Sequence, residues 1–390
     1  MVPPDAGLVQ LLVSKGVSVP APATVYVAPE VNLEHISADG VIIHPGCRIQ
    51  GERTVISANC KLGAQAPATI ENCFLGNGVE FQGGYARESV FLDGVTIGSG
   101  AQIREACLFE ERSSVAHTVG CKQTILFPYA TLGSLINFCD CLLAGGTSRV
   151  NHSEVGSGYV HFNFAPTGHK ATASLFGDVA HGVWLTEPAV FLGGGGGAVG
   201  PVQVGYGAVI GAGSTLRADV ARETQVITSN LATTHDVNRH AFPRLARLVS
   251  HNIDYVAQLL VLRTWYDTVR RTFAAEYADL LLESALRVID CAITERITRL
   301  VAFTNTIGLE DSASRQLHAR IIDLASYLTT QEPRLDVALV SRIVAGNAPY
   351  LTTIANLDSA VVTAGRTALS TIAAEITSGA KNMLPLLFAN

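Results

Sequence analysis

Charge is scarce in this chain. Asp, Glu, Lys and Arg make up 15% of its 390 residues, whereas 48% are hydrophobic. A chain so composed must hide its apolar surface in a large interior, in subunit contacts, or both. An excess of basic residues is also missing: 27 Lys and Arg face 33 Asp and Glu, a net charge of -6. That balance gives no general reason to expect nucleic acid or an anionic membrane as a partner. No CxxC pair exists among Cys47, Cys60, Cys73, Cys107, Cys121, Cys139, Cys141 and Cys291. The scattered thiols read as small interior hydrophobes, with no metal site and no disulfide framework, which fits a reducing compartment. Met1 to Gly16 lacks a basic start and an unbroken apolar core, since Asp5, Gln10 and Lys15 interrupt it. A cytoplasmic location is the expectation. Long apolar runs are absent even near the C-terminus, where Asp358, Arg366 and Glu375 divide Tyr350 to Ala380. That stretch reads as a buried helix, not a membrane span.

What the chain does have is a period of six. Val204, Ile210 and Leu216 keep it, with Gly205 and Gly211 following the first two. Ile43, Ile49 and Val55 repeat it, as do Leu75 with Phe81, Ile97 with Ile103 and Phe109, and Val115 with Cys121 and Phe127. Six-residue units, each pointing one aliphatic side chain inward, make the flat sides of a triangular coil, and the pattern predicts a left-handed parallel β-helix. At about 18 residues per coil, Thr24 to Val220 accommodates roughly ten or eleven coils. The spacing breaks around Gln65 to Pro67, Gly83 to Glu88, Asn137 to Asn151 and Ala165 to Ala173. Such breaks predict loops leaving the coil, where function tends to sit. The five glycines Gly193 to Gly197 lack the lysine of a phosphate loop and read as a flexible bend in a protruding loop. Leu8, Leu11 and Leu12 predict a short helix over the open end of the solenoid.

After Thr228 the period changes to 3.6. Leu245, Leu248, Val249, Ile253 and Val256 open one stripe, and others follow through Leu281, Val288 and Ile289, through Leu317, Ile321 and Leu324, and through Ile354 and Val361. A helical bundle is predicted. The domains expected are a cap at 1–23, the β-helix at 24–229 and the bundle at 230–390, with Asn230 to Arg239 as linker. Arg270 and Arg271 are expected on a solvated helix face, and Trp184 and Trp265 in packing.

Several residues carry a family resemblance: Glu154-Val155-Gly156, Asn163-Phe164, Lys170, Phe176-Gly177-Asp178-Val179, Pro201 to Gly205, Gly211 to Thr215 and Asp219-Val220. In order and rough spacing they resemble the acetyltransferase half of the bifunctional family that acetylates glucosamine 1-phosphate and then uridylylates it. The resemblance implies a homotrimer with acetyl-CoA in the groove between neighbouring solenoids, acting on an amino-sugar phosphate or sugar nucleotide. It implies a histidine as base, which titrates in a suitable range for taking a proton from an attacking amine. Of the histidines clustered where loops leave the coil, His152 is the first candidate and His161 the second. Asn163, Phe164 in place of a tyrosine, Lys170 or His169, and Arg149 are the implied contacts to sugar and phosphate. Gly205, Ser214, Arg217 and Arg222 are the implied contacts to acetyl-CoA. Phe164 lacks the tyrosine hydroxyl, which favours a second expectation: a non-catalytic trimeric scaffold that binds a sugar nucleotide or a protein partner. No nucleotidyltransferase half is expected.

Overall fold

The computed structural model describes residues 6–165, 168–226, 244–276, 280–346 and 348–389. Helix α1 (Ala6–Lys15) forms where expected and buries Val9 and Leu12, while Leu11 of the expected stripe is exposed. From there the chain winds as a parallel β-solenoid whose coils present three sides in turn.

On the first side Ile43 stacks on Leu62, Leu62 on Phe81, Phe81 on Ile97 and Ile97 on Val115, within a ten-stranded parallel sheet. The neighbours of these residues, Lys61, Glu80, Thr96 and Ser114, face outward and are polar. On the second side Ile49, Ile70, Ala86 and Ile103 stack in the same manner. The third side differs. Its strands begin on apolar doublets, Val55–Ile56, Phe74–Leu75, Val90–Phe91 and Leu108–Phe109, and both members of each doublet are buried. Here the inward residue is Ile56, stacked on Leu75, while Val55 pairs with Phe74 on the outer surface. The sixfold spacing therefore slips by one residue at Val55, whereas Leu75 and Phe109 keep it.

An apolar outer surface on a sheet demands a cover. The C-terminal helices supply it: α3 (Leu245–Thr268), α4 (Leu281–Thr304), α5 (Ser312–Thr329), α6 (Val337–Ile343), α7 (Tyr350–Ala355) and α8 (Ser359–Asn382), following the short α2 (Val179–Gly182) inside the solenoid. Helix α4 lies on the third-side strands Phe74–Leu75, Val90–Phe91 and Leu108–Phe109, and α3 on Ser174–Phe176. Trp184 meets Trp265 edge-on at 4.9 Å, a packing role for both as expected. The 230–239 linker lies outside the described residues. Among those described, no helix is long and apolar enough to cross a membrane.

Two expectations need correction. Arg270 is fully buried against Glu111 and lies 3.8 Å from the ring centre of Tyr350, so it is not on a solvated face. Nor do the five glycines protrude. A side-chain carbon on Gly193 would meet the backbone nitrogen of Ala212 at 2.4 Å, and one on Gly196 the carbonyl oxygen of Ser214 at 2.6 Å. They form a corner where adjacent coils approach too closely for a side chain at Gly193, Gly196 and Gly197, while Gly195 faces open space.

Candidate functional site

The implied site residues fall in three places. The first is a hairpin, Gly146–Ser148 with Asn151–His152, at the corner joining third side to first. Arg149 folds back from its tip and donates to the carbonyl oxygens of Tyr129 (2.7 Å) and Arg112 (3.2 Å) and to the Thr131 hydroxyl (3.1 Å). This guanidinium fastens the hairpin to the outer surface of the first side. His152 Nδ1 lies 3.0 Å from the Arg149 carbonyl oxygen. A carbonyl can only accept, so Nδ1 carries the proton and Nε2 presents its lone pair. Nε2 stands 3.7 Å from the Glu154 carboxylate. The ring is partly exposed, and Nε2, facing that carboxylate, is the nitrogen left to exchange a proton, the feature a general base requires.

His161 has no such freedom. It is buried in the coil interior, with Nδ1 2.7 Å from the Cys139 carbonyl oxygen and Nε2 2.8 Å from Ser174 Oγ. Phe138 and Phe176 flank its ring. Burial pushes its pKa down to about 4, outweighing the hydrogen bond to Cys139. Both nitrogens serve the fold, which makes it a core histidine.

The second place is the loop from Asn163 to Ala173, at the corner joining second side to third. Asn163 donates to Asp140 Oδ2 at 2.6 Å. The His169 ring packs on Phe303 of α4 at 4.9 Å, and burial lowers its pKa. Phe164 is 63% exposed and Lys170 is exposed beside it in the loop.

The third place is a cleft of about 660 Å³ between the last coils and helices α3 and α8. Gly205 and Arg222 line it, with Asp178, Gln203, Tyr206, Asp219, Asp254 and Thr377. Gly205 passes so close to the next coil that a side-chain carbon would meet Arg222 N at 2.6 Å. Arg222 pairs with buried Glu187 and lies over the Tyr206 ring, 5.4 Å from its centre. Burial would raise the Asp219 carboxyl, but hydrogen bonds from His251, Arg247 and the Gln203 backbone hold it well below the usual range. Ser214 is buried in a coil turn, and Arg217 is exposed on the adjacent strand end. Sequence reasoning named Asp219 only as part of the resemblance and missed Glu187 and Asp254, neither of which belongs to a repeat position that would single it out.

Parallel coils with six-residue sides and polar loops at two corners define a hexapeptide-repeat solenoid protein carrying an appended helical region. No family model matches the chain. It is 30% identical over 213 residues to the bifunctional protein GlmU of Thermotoga petrophila, which covers 54% of this chain and 42% of that relative. GlmU of Geobacillus sp. WCH70 is 28% identical over 206 residues, 53% of this chain and 39% of its own length. The GlmU of Thermotoga maritima gives 29% over 213 residues. The chain thus spans less than half the length of these relatives. The resemblance read from the residues holds over about half of the chain: its homologues there are GlmU proteins, and its fold is the β-solenoid that resemblance implies.

Proposed function

We propose that the protein is an acetyl-CoA-dependent acyltransferase acting on the amine of a sugar phosphate or sugar nucleotide, and that it works as a homotrimer. Homology to GlmU supports the sugar-phosphate acetyltransferase class. The observation that carries the reading is His152, whose Nδ1–H is spent on Arg149 O while Nε2 stays available. In the reaction the amine nitrogen attacks the thioester carbonyl carbon, and the carbon–sulfur bond breaks as the tetrahedral adduct collapses. His152 Nε2 takes the amine proton and delivers it to the departing thiolate. Lys170 supplies a positive point charge for the acceptor's phosphate. Acetyl-CoA is the second substrate; of its implied contacts, Arg217 is exposed and Gly205 and Arg222 line the cleft beside α3 and α8, whereas Ser214 is buried and cannot touch it.

The trimer has a structural reason. His152 and Asn163 stand at opposite edges of the third side, and helices α3 and α4 cover that side between them. Neighbouring solenoids would bring one edge of each chain against the other edge of the next. A scaffold reading is favoured by one observation: Asn163 and His161 already spend hydrogen bonds inside the chain.

Thiol release from acetyl-CoA, with glucosamine 1-phosphate and a panel of amino sugars as acceptors, tests the proposal. Acceptor-dependent release that disappears in His152→Ala is the expected result. Release that survives in that variant would remove His152 as base, and no release with any acceptor would leave the scaffold.

A further inference from the structure

We propose that the helical region is part of the acceptor site: Arg296 of α4, acting through Asp140, is a positioning residue that sets the loop bearing Asn163, Phe164 and Lys170. This rests on the reading of that loop as the acceptor contact.

The geometry begins at a corner of the coil. Asp140 sits in the strand Asn137–Leu143 with φ of 59°, and this left-handed turn directs its buried carboxylate away from the coil interior. One oxygen, Oδ1, takes Arg296 Nη2 at 2.6 Å, and the other, Oδ2, takes the Asn163 amide at 2.6 Å. The Arg296 side chain is 3% exposed and that of Asp140 6%, so neither charge is answered by solvent. A buried carboxylate without its cation takes up a proton or turns toward water. Turning away removes the acceptor that fixes the Asn163 amide, and loss of the negative charge weakens it.

Two further contacts hold the far end of the loop to the same helices. Phe303 of α4 packs on the His169 ring at 4.9 Å. Asn252 of α3 donates to the Ala171 carbonyl oxygen at 3.1 Å. Asn163, His169 and Ala171 are thereby tied down, while Phe164 and Lys170 project to solvent. Of the side chains implied to meet sugar and phosphate in this loop, Phe164 and Lys170 are the two left exposed. Among the described residues, the loop's own backbone hydrogen bonds include Gly168 N to Ala165 O at 2.8 Å and Ala165 N to His169 O at 3.3 Å. Asp140 of the coil holds the start of the loop, and α3 and α4 hold both Asp140 and the described residues at its far end.

Amide hydrogen exchange on the full chain, paired with acceptor kinetics, tests this. Arg296→Gln is expected to raise exchange at residues 163–171 by about tenfold, leaving the coils around Phe81 and Ile97 protected. Arg296→Lys should restore part of the protection. Asn163→Ala keeps the buried ion pair, and hence the fold, and should loosen the same loop. For the acceptor, Arg296→Gln should raise KM about tenfold while kcat falls less. Unchanged loop exchange in both Arg296→Gln and Asn163→Ala overturns the proposal. So does general loss of protection in Arg296→Gln with none in Asn163→Ala, which would make Arg296 a stability residue only. If wild type transfers acetyl to no acceptor, the function fails, while the exchange data still decide whether Arg296 positions the loop.

Discussion

Glu110 and Glu111 occupy consecutive positions at a coil corner and share one guanidinium. Arg270 pairs with Glu111, and Glu110 accepts the Tyr266 hydroxyl at 2.5 Å. Burial pushes the Glu110 carboxyl up to about 7, against the pull of Arg270 and with help from the neighbouring Glu111. A carboxyl raised on folding holds its proton longer in the native chain than in the unfolded one. Its contribution is fully present below the ordinary value of 4.5 and is lost as pH rises toward 7. Glu110→Gln keeps an acceptor for Tyr266 and removes the titration. Melting temperature followed between pH 5 and 8 should therefore fall less in this variant than in wild type. His161, held down to about 4, titrates in the opposite sense over part of that range, so the informative quantity is the difference between the two proteins. Equal slopes would mean that Glu110 stays ionised. The burial of Arg270 was not legible in the sequence, because an arginine beside another arginine on a helix ordinarily belongs to a solvated face. Its partner, Glu111, lies far away in the chain.

Glycine illustrates at the level of the coil how one residue type supports two readings. The run Gly193 to Gly197 is equally consistent with freedom and with crowding, and the difference lies in neighbours from adjacent coils. A methyl group added at Gly193 would stand within 2.6 Å of the backbone of Ile210 to Ala212, whereas one at Gly195 would have nothing within 4 Å. Gly193→Ala should thus destabilise by about 2 kcal/mol, the scale of overpacking against atoms that cannot yield. Gly195→Asn, at φ of 63°, should cost much less, because asparagine tolerates the left-handed region. Denaturant midpoints measure both, and equal tolerance would restore the flexible bend. The sixfold period was readable because each side repeats locally, and the inward residues of the first two sides fall where it puts them. The third side escaped notice although its signal is plain: doublets such as Phe74–Leu75 and Leu108–Phe109 make a strand apolar on both surfaces. A sheet side of that kind announces that something covers it. The resemblance named Asn163 and Lys170 as a site, but Arg296 and Asn252, which hold their loop, come from helices with no repeat to mark them.

Across the whole molecule, the helices that cover the third side also separate His152 from Asn163. The hairpin carrying His152 joins third side to first, and the loop carrying Asn163 joins second to third. On the proposed reading, a single chain would hold its base and its acceptor contact at two different corners, with the helical cover between them. A cyclic trimer can apply both to one amine, if the His152 corner of each chain faces the Asn163 corner of the next. Complementation follows from this arrangement. His152→Ala and Asn163→Ala trimers should each be nearly inactive alone. After unfolding and refolding together in equal amounts, some interfaces combine His152 from the second variant with Asn163 from the first. Random assembly makes about one quarter of the sites intact in both residues, so about one quarter of the wild-type rate should return. Light scattering on the mixture should give the mass of three chains. Trimers that form without any return of activity would mean that each chain completes its own site, and the hairpin or the loop would then have to move across the helical cover to do so.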